Sequence, residues 1–388
     1  MEIVLGTLEF GNPSGGATYL LTVAEQLQRL GHEATIFAGE VGELAGSAQE
    51  RGLRVVSSES ALPDACDVVY AQDTATAYLL ADRFRGTPQA LCMHAGGSGF
   101  DRWLPPQISG VVGAVVVLHD VTARRAGALA HREEVVRLRQ PVDLARFAPR
   151  APIGESPGRV LLLGNYLWGD RRELVQRACR QAGLEYRQLG VQGARTTATP
   201  EVEINQADIV IGQGRCIVEA MACGRAAFVY DHSGGDGWVT PESHARMEAV
   251  NFTTADARVT PESLSGELRS YSPSMGVANR DLARLHHSAA QHAEELVGLF
   301  ERLSPTEPAP NAPLRELARM VRVQWQTEAR AMVLADEARA AEARAAEADA
   351  GHRATLARLE EIRATRRYRL ASGLARPLAS LRALMRGK

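Results

Sequence analysis

The sequence predicts an α/β chain of two doubly wound domains followed by a helical C-terminal extension, and three observations support this fold class. Short apolar runs alternate with helix-prone segments up to about residue 303, as in parallel sheets with crossover helices. A Pro/Gly-rich linker at residues 150–158 interrupts the alternation, which then restarts. Residues 314–388 carry almost no strand signal. We therefore expect domains at residues 1–150 and 159–303, and a separate extension at 314–388.

Composition narrows the class of protein. The chain has 388 residues, 45% of them apolar, which suits two globular domains plus an extension. A formal net charge of −2 gives no overall signature of nucleic-acid binding. The five cysteines include no CxxC pair, so reduced and buried thiols are expected. The chain begins directly with a strand pattern and has no apolar run of membrane-spanning length, so we expect a cytoplasmic protein without a signal peptide.

The first predicted unit places a glycine pair before a helix. A short strand at residues 2–6 is followed by a loop that ends in Gly15 and Gly16, and then by an apolar-faced helix at residues 17–30. Glycine lets backbone amides approach a ligand closely, and a helix N-terminus favours anions. Gly15 and Gly16 are therefore candidates for binding a phosphate or a sugar.

The next strands point to a candidate catalytic histidine. They are predicted at residues 53–56, 67–71, 89–93, 111–118 and 135–138. His94 directly follows one of them and precedes Gly96 and Gly97, at the strand end where parallel-sheet proteins place functional groups. A histidine there could hydrogen-bond a substrate or transfer a proton. The alternative is a histidine that is hydrogen-bonded within a loop.

The clearest local pattern of the second half covers residues 207–241. It reads as a strand, a tight turn, a helix, a second strand and a Gly-rich loop: Asp208–Ile211, Gly212-Gln213-Gly214, Arg215–Cys223, Ala226–Tyr230 and Asp231–Gly237. Ligands of such domains bind at the carboxyl ends of the strands. The turn and the later loop, which contains Gly234 and Gly235, are therefore candidate ligand contacts.

Residues 219–225 read Glu-Ala-Met-Ala-Cys-Gly-Arg, which resembles the EAMACG signature of the retaining GT-B glycosyltransferases of family 4. Residues 140–149 also resemble the hinge segment NGVDLERFxP of that family, with Gln140 and Pro141 in place of Asn-Gly. The resemblance covers about residues 1–303. It implies two Rossmann-like domains facing a cleft, with the acceptor on the N-terminal side. It also implies transfer of a hexosyl unit, with retention, from a nucleotide sugar to a glycan or lipid-linked acceptor. Neither a cofactor nor a metal is implied, and cell-surface polysaccharide or glycoconjugate synthesis is the expected setting.

The resemblance also implies roles for particular residues. Glu219 would hold the ribose of the donor, and His94 would face the reacting sugar. The glycines would allow close approach to phosphate or sugar: Gly15, Gly16, Gly212, Gly214, Gly234 and Gly235. The alternative for Glu219 is a solvent-exposed residue of a helix. The chain departs from the pattern at Ile211, where the family has a first glutamate; Gln213 and Arg215 are the nearest polar replacements.

A second departure concerns the cations that hold the donor diphosphate. The family segment GR…KG has Asn165 in place of its arginine and Gly169 in place of its lysine. Arg171 and Arg172 lie close by and could bind the diphosphate from shifted positions, or they could be a solvated basic pair. These departures keep two alternatives open. One is a non-catalytic binding or scaffold protein, and the other is an epimerase that acts on a nucleotide sugar without an acceptor.

The extension has two distinct parts. Residues 335–350 consist almost wholly of Ala, Glu, Arg and Asp, which predicts a long helix that could self-associate as a weak coiled coil. Residues 363–388 contain eight basic residues, no acidic residue and an approximate stripe of leucines. This pattern predicts peripheral binding to an anionic membrane surface. The alternative is that the stripe packs on a partner helix or on the protein's own domains.

Overall fold

The computed structural model describes residues 1–11, 13–94, 110–129, 133–165, 167, 169–190, 197, 199–231, 234–253, 259–365 and 367–368. The chain forms two compact units, Met1–Arg322 and Val323–Lys388.

The strands are β1 (Glu2–Phe10), β2 (Glu33–Val41), β3 (Arg54–Val56), β4 (Val68–Ala71), β5 (Gln89–Met93), β6 (Ala114–Val117), β7 (Glu134–Arg137), β8 (Arg159–Leu163), β9 (Glu185–Leu189), β10 (Ile209–Gly212), β11 (Ala226–Asp231) and β12 (Gly234–Trp238). The helices are α1 (Gly15–Arg29), α2 (Glu43–Glu50), α3 (Thr74–Arg83), α4 (Asp120–Leu129), α5 (Gly169–Ala182), α6 (Pro200–Asn205), α7 (Arg215–Ala222), α8 (Pro241–Ala249), α9 (Pro261–Arg269), α10 (Pro273–His286), α11 (Ala289–Arg302) and α12 (Leu314–Ala364).

The first sheet is parallel and has the strand order β3-β2-β1-β4-β5-β6-β7. The order reverses direction between β1 and β4, which makes the crevice at their carboxyl ends a ligand-binding position. β1 runs to Phe10, four residues further than predicted, because it stays paired with β2 through Val41. Its pairing with β4 ends at Gly6, so β1 and β2 project together beyond the rest of the sheet.

The second sheet has the order β12-β11-β10-β8-β9, and its reversal point lies between β8 and β10. All its strands are parallel except β12, which is antiparallel to β11. Gly234 and Gly235 belong to β12, so the prediction that they lie in a Gly-rich loop was wrong. A Cβ on Gly235 would lie 2.9 Å from Val259 and 3.3 Å from Tyr230, so this glycine permits close packing of the strand.

The chain returns to the first sheet after the second domain. The sequence predicts a single long helix over residues 279–303 at the end of the second domain. The structure instead breaks it at His287 and Ser288, and Ser288 caps α11. The apolar face of α11, which includes Leu296 and Phe300, packs into the core of α1 and the first sheet. Apolar periodicity predicts that a helix has a buried face, but it does not identify the sheet that covers that face.

The linker between the domains is held by two buried side chains of the second domain. Arg225, which is 1% exposed, donates hydrogen bonds to the carbonyls of Ala207, Cys223 and Ala151. Asp208 accepts from the backbone amides of Gly154, Gly158 and Arg159, 2.9–3.0 Å away. Burial alone would raise the pKa of Asp208, but these hydrogen bonds and the charge of Arg159 hold it below its ordinary value.

The extension is helical, as predicted, over the part that the structure describes. α12 runs for 51 residues without a break. Its self-association stays a prediction. Most of the basic segment at 363–388 falls outside the described residues, which end at 368. Where residues are described, no helix is both long and apolar enough to cross a bilayer.

Candidate functional site

The first crevice lies where β1, β4 and β5 end. Ser14 caps α1 by accepting a hydrogen bond from the Ala17 amide at 3.2 Å, which places Gly15 and Gly16 in the first turn of the helix. A Cβ on Gly16 would lie 3.7 Å from Cδ2 of His94, whereas a Cβ on Gly15 would meet nothing within 4 Å. The predicted glycine pair and the predicted histidine therefore meet at the switch point of the first sheet.

His94 is held by two neighbours that sequence reasoning did not select. Its Nε2 donates to Oε1 of Gln72, at the end of β4, and Tyr19 packs edge-on against its ring at 4.8 Å. Burial, together with the positive charges of Arg215 and His119, lowers the pKa of His94 to about 4. The imidazole is therefore neutral at neutral pH, and Nδ1 carries the lone pair. Such a ring can accept a hydrogen bond from a substrate hydroxyl, but it is not charged to act as an acid.

A buried hydrogen-bonded chain supports the Tyr19 ring. The Tyr19 hydroxyl lies 2.7 Å from the Tyr70 hydroxyl and 2.9 Å from Nε2 of His292, on α11. Nδ1 of His292 lies 3.0 Å from the carbonyl of Arg139, so Nδ1 donates and Nε2 accepts from Tyr19. Burial lowers the pKa of His292 to about 3, which keeps this arrangement neutral. The sequence signal was a tyrosine within the helix predicted at residues 17–30.

The second crevice contains Arg215 and Glu219 as a buried pair on α7. Nε of Arg215 donates to Oε1 of Glu219 at 2.8 Å, and both side chains are 9% exposed. The interpretation of Glu219 as a solvent-exposed residue is therefore wrong. Burial raises the pKa of Glu219, and the charge of Arg215 opposes that shift. Contact of Glu219 with a ribose stays a prediction.

Arg215 also joins the second domain to the first. Its Nη1 donates at 3.0 Å to the carbonyl of Pro141, which lies in the crossover segment that joins the two domains (residues 140–149). Its Nη2 donates to Oγ1 of Thr22 on α1 at 2.8 Å. Its charge also acts on His94. The predicted candidates His94, Arg215 and Glu219 therefore form one connected group across the two domains.

The turn after β10 contains a buried polar atom that is available to bind a ligand. Gly212 closes the strand, where a Cβ would lie 2.5 Å from the Leu163 carbonyl, and Gly214 caps α7 at φ 59°. Between them, Oε1 of Gln213 is buried and accepts no hydrogen bond from the described residues. Nε2 of Gln72 in the first crevice is likewise buried and makes no bond within the described ranges. Buried polar atoms are normally paired, so both crevices hold groups suited to a polar ligand.

The structure explains the first departure from the family pattern. Ile211 lies within β10, is 0% exposed and packs with Leu162 and Phe228 in the core of the second sheet. Its side chain thus belongs to the core and does not reach a ligand. Asn165, at the second departure, donates through Nδ2 to the Pro13 carbonyl at 3.5 Å. This contact brings the loop after β8 to the loop before α1.

Arg171 and Arg172 lie in the first turn of α5, both half-buried. Burial raises the pKa of Tyr230 at the end of β11, and the nearby positive charge of Arg171 opposes the shift. Arg172 acts in the same way, by its charge, on Tyr186. Arg171 therefore lies close to Tyr230, and Tyr230 pairs with Gly235 of β12. A role of either arginine in binding a diphosphate stays a prediction.

No group of three or more His, Cys, Asp or Glu side chains in the described ranges is arranged to hold a metal ion. The expectation that the donor needs neither metal nor cofactor stays a prediction. The five cysteines are free thiols; Cys92, Cys179 and Cys223 are buried, and Cys66 and Cys216 are partly exposed.

Comparison with solved structures identifies the fold. The sequence matches no protein-family model and no curated protein. The structure is similar to that of HepE from Anabaena in complex with UDP and glucose, with a TM-score of 0.60 at 13% identity over 78% of this chain and 100% of that chain. It is also similar to a glycosyltransferase from Rickettsia africae, with a TM-score of 0.55 at 14% identity over 77% and 97% of the two chains. Sucrose-phosphate synthase from Thermosynechococcus elongatus gives a TM-score of 0.53 at 13% identity over 78% and 98%.

These similarities confirm the predicted fold class. The chain has the GT-B fold, with two Rossmann-like domains. Membership of family 4 and retention of configuration stay predictions, and so does a role for the family's pattern of two glutamates separated by seven residues (E-x7-E), in which Glu219 is the second and Ile211 replaces the first.

Proposed function

We propose that the protein is a glycosyltransferase that moves a hexosyl unit, with retention, from a nucleotide sugar to a glycan or lipid-linked acceptor. The observation that carries the proposal is that polar groups lie at the switch points of both sheets. The first presents Gly16, His94 and Gln72, and the second presents Gln213 and Arg215. Polar ligands of doubly wound sheets bind at such points.

The charges at the second switch point suit a nucleotide diphosphate. Arg215 lies at the N-terminal end of α7, and Arg171 and Arg172 lie at that of α5. Transfer from a nucleotide sugar leaves negative charge on the departing diphosphate, which guanidinium groups and helix N-termini stabilise. Glu219 would accept from a ribose hydroxyl while it stays paired with Arg215.

His94 would orient the reacting sugar. Because its pKa is about 4, it is neutral during turnover, and Nδ1 would accept a hydrogen bond from a sugar hydroxyl. The contribution of such a group is positioning of the sugar relative to the acceptor. Because HepE was crystallised with UDP and glucose, UDP-glucose is the first donor to test.

Two other functions are kept because of named residues. Ile211 is a core residue and Asn165 replaces a cation, which would suit a binding or scaffold protein that has lost transfer. An epimerase would convert the nucleotide sugar without any acceptor. Product formed from the donor alone would favour the epimerase over the transferase.

Thermal unfolding of the intact chain against nucleoside diphosphates and nucleotide sugars tests the donor site. A ligand of the folded state at 100 times its Kd stabilises it by about 2.7 kcal/mol. We expect one nucleotide to do so in the wild type and the effect to be lost in Gln213→Leu. Because Oε1 of Gln213 accepts no bond from the described residues, this change should not lower the unligated Tm. Gln291→Leu, at an exposed position of α11, is the matched control. A chain that no nucleotide stabilises would contradict the proposal.

A further inference from the structure

A second pocket lies on the opposite face of the first sheet from α1. It encloses about 360 Å³, a volume typical of small-molecule sites. β1 and β2 extend beyond the pairing of β1 with β4, and Leu8 and Phe37 of these strands face the first turns of α3 across the pocket. The first turns of α12 lie over these residues and leave the pocket between.

The floor of the pocket is apolar. Leu8 and Phe37 come from the projecting strands, and Ala75 and Leu79 come from α3. Ala318 of α12 forms the opposite wall. These side chains present hydrocarbon to the space between them, which suits an alkyl or isoprenoid chain of a ligand.

Three arginines line the rim of the pocket. Arg315, Arg319 and Arg322 lie at positions i, i+4 and i+7 of α12 and therefore share one helix face. Arg315 pairs with Glu59 at 2.9 Å and Asp82 at 2.6 Å, and Arg322 pairs with Glu40 at 3.2 Å.

Arg319 differs from its two neighbours. In the part of the chain that the structure describes, it makes no ion pair or hydrogen bond, although it lines the pocket. The carboxylates of Glu59, Asp82 and Glu40 contact Arg315 and Arg322, so the exposed guanidinium of Arg319 has no carboxylate contact among the described residues. A guanidinium in that position is suited to a phosphate group.

We propose that this pocket binds an anionic amphiphile: a phosphate monoester whose hydrocarbon chain occupies the floor and whose headgroup contacts Arg319. The proposal does not depend on the function proposed above, because none of its residues lines either switch point.

Isothermal titration of the full chain tests the proposal with three probes below their micellar concentrations. Decyl phosphate carries both parts of the ligand, decyl glucoside has the chain without the charge, and inorganic phosphate has the charge without the chain. We expect decyl phosphate to bind one to one and the other two to bind at least roughly tenfold more weakly. Equal binding of all three, or no binding of decyl phosphate, would overturn the proposal.

Variants locate the site. Arg319→Ala should weaken decyl phosphate binding roughly tenfold, and Ala75→Phe should block the floor and abolish it. Arg330→Ala, an exposed arginine of the same helix, should change nothing. Ala75 is 5% exposed, so the Tm of Ala75→Phe is measured first, and Arg319→Ala, at an exposed position, tests the headgroup contact without changing the packing of the core. Wild-type affinity in both pocket variants would place the ligand elsewhere.

Two further experiments are needed. One distinguishes a membrane lipid from a free phosphate monoester as the source of the ligand, and the other separates this proposal from the proposal of a nucleotide-sugar site. Vesicles that contain phosphatidic acid test a membrane lipid as the source: capture that falls in Arg319→Ala would identify the lipid headgroup as a ligand of this pocket. Capture that does not change would leave the free monomer as the ligand. A nucleotide titration on the same variants should match the wild type. If decyl phosphate binds and no nucleotide does, the donor proposal fails and the pocket stands.

Discussion

Arg215 and Glu219 place two opposite charges where little water reaches them. Removing such groups from water costs free energy, so a buried pair adds little net stability, but the loss of one partner leaves an unpaired buried charge. Arg215 has two further acceptors, the Pro141 carbonyl and the Thr22 hydroxyl. It therefore acts as a fixed link between the domains, and Glu219 sets its orientation.

Glu219→Gln should lower the free energy of unfolding by about 3 kcal/mol, because it leaves Arg215 without a carboxylate. A double-mutant cycle with Arg215→Met, measured by urea unfolding, should give a coupling energy above about 1 kcal/mol. The exposed pair Arg302 and Glu134, with side chains 50% and 51% exposed, is the control and should couple by less than about 1 kcal/mol. Equal coupling in both cycles would mean that α7 does not bury its pair in solution.

His94→Gln should reduce turnover more than donor affinity. Gln can keep a polar contact to Gln72 but cannot reproduce the Nδ1 acceptor on the far side of the ring from that contact. Misplacement of the reacting sugar by about 1 Å costs roughly 100-fold in rate. The measurement is kcat and KM on a verified donor, with His352→Gln on the exposed surface of α12 as control. A proportional rise in KM at constant kcat would make His94 a binding residue only.

At the scale of residues, the sequence was informative where a motif or a strand end assigned a residue to a particular helix or strand. The EAMACG resemblance located Glu219 on the helix after β10, and strand-end reasoning located His94 beside the glycine pair. It could not predict that Arg215 would pair with Glu219, because burial of an i,i+4 pair depends on the neighbouring domain. Gln72 was missed because nothing in its local pattern distinguishes it from a loop residue.

At the scale of elements, histidines of α8 and of the junction between α10 and α11 hold the crossover segment in place by hydrogen bonds. His287 donates from Nδ1 to the Gln140 carbonyl at 2.9 Å, and its Nε2 lies 3.0 Å from Nε2 of His244. His286 stacks on His244 at 5.0 Å. Because Nε2 of His287 is the acceptor, the single proton between the two rings comes from His244. Burial and the positive charge of Arg139 lower the pKa of His244 to about 4 and that of His287 to about 3.

These shifts predict acid sensitivity. A histidine whose pKa is lower in the folded state stabilises fully above its unfolded pKa of about 6.5, and the stability is lost as pH falls from there toward 4. At about pH 5.5 each buried histidine should cost about 1 kcal/mol relative to pH 7.5. The charged groups around the pair are Arg137, Arg139 and Glu248, and Glu248 forms ion pairs with both arginines.

Chemical unfolding at several pH values measures this slope. His287→Asn should flatten it between pH 6.5 and 5, whereas the exposed His352→Gln should leave it unchanged. Equal stability of the wild type at pH 7.5 and 5.5 would contradict the assignment of neutral rings at the crossover.

The elements themselves were mostly predictable, and the exceptions have physical causes. Apolar runs located most strands of both sheets because parallel strands are buried on both faces. β9 was not predicted, because it is an edge strand in which partly buried and exposed residues alternate. β12 was missed because its glycines read as a loop, whereas pairing with β11 makes them a strand. The break before α11 was missed because His287 and Ser288 do not interrupt the apolar spacing.

At the scale of the whole molecule, the basic segment at 363–388 should bind anionic membranes. Each basic residue near an anionic surface contributes about 1 kcal/mol before screening, and the leucine stripe adds apolar burial. Co-sedimentation should require anionic lipid, weaken as salt rises and disappear when the chain ends at Glu361. Neutral vesicles are the control. An intact chain that ignores anionic vesicles at low salt would make the segment a protein-binding element.

The return of the chain through α11 has a consequence for synthesis. The second domain is an insertion in the first, since Leu296 and Phe300 complete a core that begins with Ile3. As residue 150 leaves the ribosome, the groove that α11 will fill is still open, and about 150 more residues must follow. At typical translation rates this takes roughly 8 to 30 s. The nascent first domain therefore exposes apolar surface during that interval, which favours chaperone binding before the insertion is finished.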